Sequence, residues 1–236
     1  QNLDAIQQTV ESRGWQCDFE RVGSFAVATE PYQLAELVAA HDGDTEHFYD
    51  AHDMRQHINS PTYEGGLLST RDTALTHPGK LARALLEACL EAGVEVFESS
   101  PVTGLSAEPD AVELRLRDGG VVRADRVALA TNAFPSLLKR YRLHTVPVYD
   151  YVLMTEPLTD AQLASIGWSG RQGVADTANQ FHYYRLSADN RILWGGYDAI
   201  YHYGGRIKAE YDERPASYAK LASHFFTTFP QLEGLR

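Results

Sequence analysis

The chain has 236 residues, 44% of them hydrophobic and 22% charged, enough for one large domain or two small ones. Lys and Arg number 21 against 32 Asp and Glu, and the formal net charge of −11 argues against a nucleic-acid partner or an anionic membrane. No apolar run approaches the roughly 20 residues that span a bilayer and no signal peptide is visible. Two lone cysteines, Cys17 and Cys89, form no disulfide or metal framework and fit a reducing cytoplasm.

Leu3, Ile6 and Val10 recur at helical spacing, so residues 3–13 read as a helix. Residues 19–22 and 25–29 read as strands around Gly23. Pro31 opens a second helix with Leu34, Leu37 and Val38 on its apolar face, and Gly43 ends it. Residues 44–62 are polar and lack a strong period, and residues 65–69 form a strand that starts on a glycine pair.

Thr76 is placed to cap the next helix and Pro78 lies near its start. Leu81, Leu85 and Cys89 form its stripe, which predicts a buried thiol, and Gly93 stops it. Residues 94–97 read as a strand. Residues 102–105, 112–116 and 121–122 alternate like a three-stranded antiparallel meander, with turns at Pro109-Asp110 and Asp118-Gly119-Gly120. Residues 127–130 read as a buried strand that runs into the small-residue turn Ala130-Thr131-Asn132-Ala133.

Beyond Arg140 tyrosine becomes dense, with ten of the 13 between Tyr141 and Tyr218. A long strand over 146–155, a short helix over 160–166, a hairpin of 181–186 with 191–195, and a helix over 215–229 follow. That last helix carries Tyr218, Leu221, Phe225 and Phe229 as its stripe. The strands are mostly hairpin-connected, so the class is α+β: a mixed, mostly antiparallel sheet with flanking helices, plus the meander.

His41, His47, His52 and His57, with Asp50 and Asp53, invite a metal reading. No histidine pair there has the i, i+4 spacing of a helical zinc pair and no cysteine joins them, so they read as a polar surface loop. Gly195-Gly196 and Gly204-Gly205 lack a following lysine-serine and are not phosphate loops.

The order of four segments carries a resemblance: His77-Pro78-Gly79-Lys80-Leu81, Gly93-Val94-Glu95-Val96, Ser100-Pro101-Val102, and residues 127–133. The chain resembles the FAD-dependent amine oxidoreductases of the D-amino-acid oxidase type. Residues 147–158, 191–198 and 225–230 are similar to the gamma-glutamylputrescine oxidoreductase-like branch. Family members carry a glycine-rich dinucleotide motif near the N-terminus. None of the 236 residues forms a G-x-G-x-x-G, and the chain starts at Gln1 without methionine, so the resemblance implies an internal fragment. It implies a helix from the FAD domain over 1–14, substrate domain over 15–74 and 145–236, and an incomplete FAD-domain segment over 75–144.

The function so implied is oxidation of a C–N bond of an amine or amino acid by hydride transfer to FAD, with a polyamine derivative as the expected substrate class. The chain alone is expected to be inactive, and no side-chain nucleophile is needed. The alternative is a non-catalytic binding domain that keeps the scaffold without the cofactor.

By resemblance, Val102 meets the adenine through its backbone, and Ala130, Thr131 and Asn132 pass near the pyrophosphate or flavin. Tyr149, Tyr151, Tyr184 and Trp194 are the candidate aromatic wall for the substrate, and Arg185 the candidate for a substrate carboxylate. Tyr183 and Tyr197 belong to the same aromatic set, and strand alternation forbids Tyr183 and Tyr184 from sharing a face. Asp198 and Glu156 are candidates for a distal ammonium. Related oxidases carry a lysine on the strand matching 193–197, where this chain has Trp194 and no lysine from 181 to 207. Apolar surface left uncovered by missing segments is expected to promote self-association.

Overall fold

The computed structural model describes residues 2–41, 43–71, 73–141 and 143–236. In chain order the elements are α1 (Asn2–Ser12), β1 (Ser24–Ala28), α2 (Pro31–Ala40), β2 (Glu46–Asp50), α3 (Ala51–His57), β3 (Gly65–Ser69) and α4 (Pro78–Glu91). Then come β4 (Val102–Ala107), β5 (Val112–Leu116), β6 (Val121–Ala124), β7 (Val152–Met154), α5 (Asp160–Ile166), β8 (Gly173–Asp176), β9 (His182–Leu186), β10 (Ile192–Gly196) and α6 (Pro215–Thr228). Among the described residues no helix is long and apolar enough to cross a membrane.

The chain forms two compact units. The first comprises Gln1–Glu87, Asp150–Ala199 and Glu213–Arg236, and the second Ala88–Tyr149 and Ile200–Asp212. The first is built on a seven-stranded sheet in the order β2-β3-β1-β8-β9-β10-β7. Every pairing is antiparallel except β1 with β8. The second contains the meander β4-β5-β6, as the alternation predicts.

Two elements arise where the sequence showed no period. Residues 46–57 form β2 and α3, because Asp50 ends the strand and caps the helix, accepting from the N–H of His52 and Asp53 at 2.8 and 2.9 Å. Met54 of α3 is fully buried over Gly66, where a Cβ would stand 2.6 Å from its sulfur. Two histidines of this region make packing or hydrogen-bond contacts: His57 packs edge-on against Tyr49, and His41 Nε2 lies 3.1 Å from the Glu46 carbonyl, while His47 and His52 are exposed. β8 was also missed; it is four residues long and starts on a glycine.

Four expected strands shrink or vanish. Of residues 19–22 only Glu20 bridges, to Leu75. Residues 94–97 and 127–130 lie beside no partner strand among the described residues, and Ala128 and Ala130 are exposed rather than buried. The long strand over 146–155 is reduced to β7, with Tyr149 bridging separately to Ile200.

α4 forms where expected, but His77 rather than Thr76 accepts the Lys80 N–H, while the Thr76 hydroxyl bonds the Cys17 carbonyl at 2.8 Å. Cys89 is exposed, not buried. α5 has a capping box from Thr159 and Gln162 and ends on Gly167 at φ +67°, a left-handed closure that suits glycine.

The core lies on one face of the large sheet. Phe25 and Val27 of β1, Tyr184 and Leu186 of β9, and Ile192 and Trp194 of β10 are all at most 3% exposed. α6 covers the β10 end of this face with Leu221 and Phe225, joined by Phe229 just past the helix. Trp194 meets the rings of Phe225 and Phe229 edge-on at 5.6 and 6.2 Å, while Phe25 at the β1 end packs against His57 of α3. α2 packs on the opposite face, where Leu34 and Leu37 meet Ala26, Ala28, Phe48 and Leu67.

Candidate active site

Because α2 reaches only the β2-β3-β1 end, the same face of β8, β9, β10 and β7 has no helix over it among the described residues. Side-chain alternation and register place two rows there. One runs Val152, Gly195, Tyr183, Ala175, and the other Met154, Leu193, Arg185, Gly173. Val152, Met154 and Phe181, which flanks β9, are 44%, 51% and 49% exposed. This apolar face carries three polar groups: the Tyr183 phenol, the Asp150 carboxylate and the Arg185 guanidinium.

Tyr183 donates its hydroxyl to Asp150 Oδ2 at 2.7 Å. Burial first, then the Asp150 carboxylate, hold the phenol pKa well above its ordinary value, so the hydroxyl stays a donor. The ring lies over Gly195, where a Cβ would stand 2.7 Å from its Cζ and 2.5 Å from Val152 Cγ1. Arg185 is half-buried and tethered, with Nη1 donating to the Thr76 carbonyl at 2.8 Å.

The other expected substrate residues are not brought together with these. Tyr184 and Trp194 point to the helix-covered face and are 3% and 1% exposed, one residue out of phase with the open rows. The Tyr184 hydroxyl pairs with that of Tyr63, and burial first raises the pKa of both phenols. Tyr151 is buried on the same side, edge-on to Tyr218. Tyr149 belongs to the second unit and sits edge-on to both His202 and Tyr211.

The lysine of related oxidases has no counterpart on β10 in any register. Trp194 faces the core, and the open-face positions are Leu193 and Gly195. The acids proposed for a distal ammonium are already occupied. Asp198 accepts from Lys220, Ser217 and Arg214 at 2.8, 2.6 and 3.1 Å, and the Lys220 hydrogen bond above all lowers its pKa. Glu156 Oε1 accepts the Arg236 N–H at 3.1 Å.

A series that the sequence did not flag lies between the sheet and α6. Asp176 Oδ2 is 2.7 Å from His182 Nδ1, and His182 Nε2 is 2.9 Å from His224 Nδ1. With Asp176 ionised, His182 carries its proton on Nδ1 and accepts at Nε2, so neutral His224 donates from Nδ1. His182 is sandwiched between the rings of Trp194 and Tyr197, at 4.9 and 5.3 Å. Asp–His–His spacing over 176, 182 and 224 leaves no local signal in a sequence.

In the second unit Thr131 and Asn132 line a cleft of about 530 Å³ with Leu105, Val127, Leu129 and Phe134. Asn132 turns the chain at φ +49°, and the Phe134 N–H closes the turn onto the Thr131 carbonyl at 2.9 Å. Val102 begins the edge strand β4, at a register shift opposite Leu116, and neither it nor Ala130 borders the cleft. A dinucleotide beside this cleft would need an anchor for its pyrophosphate. The pyrophosphate needs main-chain N–H groups behind a glycine-rich turn at a helix start, and the sequence has no such motif. The residues present therefore do not by themselves fit FAD.

The architecture, a mixed sheet with helices on both faces and a separate meander, is shared with solved glycine oxidases. Glycine oxidase from Geobacillus kaustophilus superposes with a TM-score of 0.75 at 16% identity, over 99% of this chain and 61% of that one. The chain belongs to the FAD dependent oxidoreductase (DAO) family, whose sequence profile matches residues 1–236. The probable oxidoreductase OrdL of Haemophilus influenzae is 29% identical over 248 residues, covering all of this chain and 54% of the relative. The gamma-glutamylputrescine oxidoreductase of Escherichia coli is 29% identical over 245 residues, covering 99% of this chain and 53% of the relative. The chain thus spans about half the length of the curated relatives it matches.

Proposed function

We propose that this chain is the substrate-binding part, with a segment of the cofactor domain, of a longer flavin-dependent oxidoreductase acting on the C–N bond of an amine or amino acid. The observation that carries the reading is the open sheet face in a chain of this family: apolar, walled by Phe181 and Tyr183, and carrying Arg185 and Asp150. Such a face offers apolar contact and orients a small polar ligand by a few fixed groups. Arg185, held by the Thr76 carbonyl through one nitrogen, offers its remaining N–H groups to a carboxylate. Bound FAD would supply the hydride acceptor.

The division into segments is part of the proposal. Residues 75–144 belong to the cofactor domain, with Val102, Ala130, Thr131 and Asn132 on its dinucleotide side. Residues 15–74 and 145–236 carry the substrate sheet. A polyamine derivative is the proposed substrate class, supported by the name of the E. coli relative, and the cytoplasm is the proposed compartment.

The test is the absorbance of the protein expressed from its whole gene and purified with added FAD. A flavin band near ~450 nm, a property of the cofactor, that bleaches on anaerobic addition of an amine supports the reading. Absence of the band after FAD addition overturns it in favour of a cofactor-free binding domain.

A further inference from the structure

The open face is not uniformly apolar, and its charges are unequally satisfied. At the β7 end a hollow of about 160 Å³ is bounded by Asp150, Phe181, Tyr183, Tyr197 and Asp198. Of its two carboxylates, Asp198 is answered by Lys220 and Arg214. Lys220 also stands over the Tyr197 ring, 5.1 Å from its centroid. Asp150 accepts one hydrogen bond, from Tyr183, and has no cationic partner among the described residues. Asp150 is exposed and lines the hollow, and its Oδ1 accepts no hydrogen bond among the described residues. Two rings border the same space, Phe181 and Tyr183, with centroids 6.3 Å apart and planes tilted by 52°.

We infer that Asp150, Phe181 and Tyr183 form a subsite for the primary ammonium group of an alkylamine ligand. An anionic oxygen beside two aromatic faces attracts an organic cation whose methylenes also lose water against the rings. Three features select this ligand chemistry over others. A metal ion finds too few ligands, since among the described residues no group of three His, Cys, Asp or Glu side chains is arranged to hold one. A guanidinium fork would have to share Oδ2 with the Tyr183 hydroxyl, which favours a donor that needs one oxygen. An ammonium needs only the free Oδ1, because it is a compact point charge.

The subsite also has a fixed geometry. Gly195 lets the Tyr183 ring lie flat on the sheet, and the phenol then fixes the Asp150 carboxylate. Arg185 is two residues further along β9, so a cationic end and an anionic end of one ligand would be held roughly 7 Å or more apart. Under the proposed function this ammonium is a positioning group, distinct from the neutral nitrogen that reacts. The assignment of the site to a substrate rests on that reading, whereas the binding itself does not.

The binding test needs no flavin and no turnover. The 236-residue chain is titrated with n-butylammonium chloride at neutral pH and, separately, with the neutral 1-pentanol, while amide shifts of β9 and β10 are followed by NMR. Butylammonium is expected to bind about tenfold more tightly than pentanol, and Asp150→Asn to remove that preference while leaving pentanol unchanged. Tyr183→Phe, which keeps the ring and frees the carboxylate, is expected to retain the preference for the cation and serves if the first variant does not fold. Equal affinity for the two probes, binding of neither, or an unchanged preference in Asp150→Asn overturns the subsite. Loss of the flavin band in the whole-gene protein overturns the proposed function alone, so the two failures are distinguishable.

Discussion

α4 and α6 are both 14 residues long, both start on proline and both carry an apolar stripe, yet they end in opposite circumstances. α6 buries Ser217, Leu221, Phe225 and Thr228, while α4 buries none of its residues. The strands repeat the contrast, with Ile192, Trp194, Gly195 and Gly196 of β10 buried and β6 exposed over three of its four positions. Periodicity shows that a helix has a face to cover. It does not show what covers it, because that depends on elements distant in sequence.

The sharpest way to break this comparison is to cut the covered side. Trp194 is 1% exposed and touches His182, Tyr184, Phe225 and Phe229. Trp194→Ala is expected to cost about 3–5 kcal/mol, read from urea denaturation of the chain. Its indole N–H has no hydrogen-bond partner among the described residues, so Trp194→Phe forfeits packing but no polar contact. A loss below about 1 kcal/mol for the alanine variant would show that the sheet face is not the core of the first unit.

The histidine series sets a smaller, pH-dependent effect on the same side. Burial, then His182 and Lys220, hold His224 below its ordinary value of 6.5. The folded chain thus binds that proton less readily than the unfolded chain, so stability rises with pH. The full stability is present above 6.5 and is lost as pH falls below it, toward the lowered folded-state value. One such group limits the slope to about 1.4 kcal/mol per pH unit. His224→Asn is expected to flatten this part of the melting-temperature profile. A profile of unchanged slope in the variant would assign the titration to another group.

How much of this was legible in the sequence follows from the range of each interaction. Helix existence was, since i, i+4 stripes and caps are local: α2, α5 and α6 fall within a residue or two of expectation. The meander and the β9–β10 hairpin were too, because their turns name themselves in Asp118-Gly119-Gly120 and Ala188-Asp189-Asn190. β8 was not, because it is four residues long, starts on a glycine, and one of its two sheet neighbours, β1, lies roughly 150 residues away. Alternation gave the rule that Tyr183 and Tyr184 face apart, but not which of them faces the core. That choice follows from where α6 docks, and it decides whether Trp194 is packing or site.

The weakest expected effect tests the uncovered side. Leu85 and Leu86 of α4 are 48% and 39% exposed, and Val96 and Phe97 just beyond the helix are 44% and 75% exposed. Leu and Glu have similar helix propensities, and neither position lies in the last turn, where an acid would oppose the helix dipole. Leu85→Glu with Leu86→Glu is therefore expected to change the stability of this chain by about 0.5 kcal/mol or less per site. The same change removes exposed apolar side chains, which drive association when no partner covers them. Sedimentation equilibrium should show less self-association in the double variant than in the parent, at unchanged urea midpoint. A large fall in the midpoint would mean that α4 is covered within the chain in solution, and the contrast with α6 would then fail. An unchanged midpoint with a drop in flavin retention by the whole-gene protein would instead place this stripe against the rest of the cofactor domain.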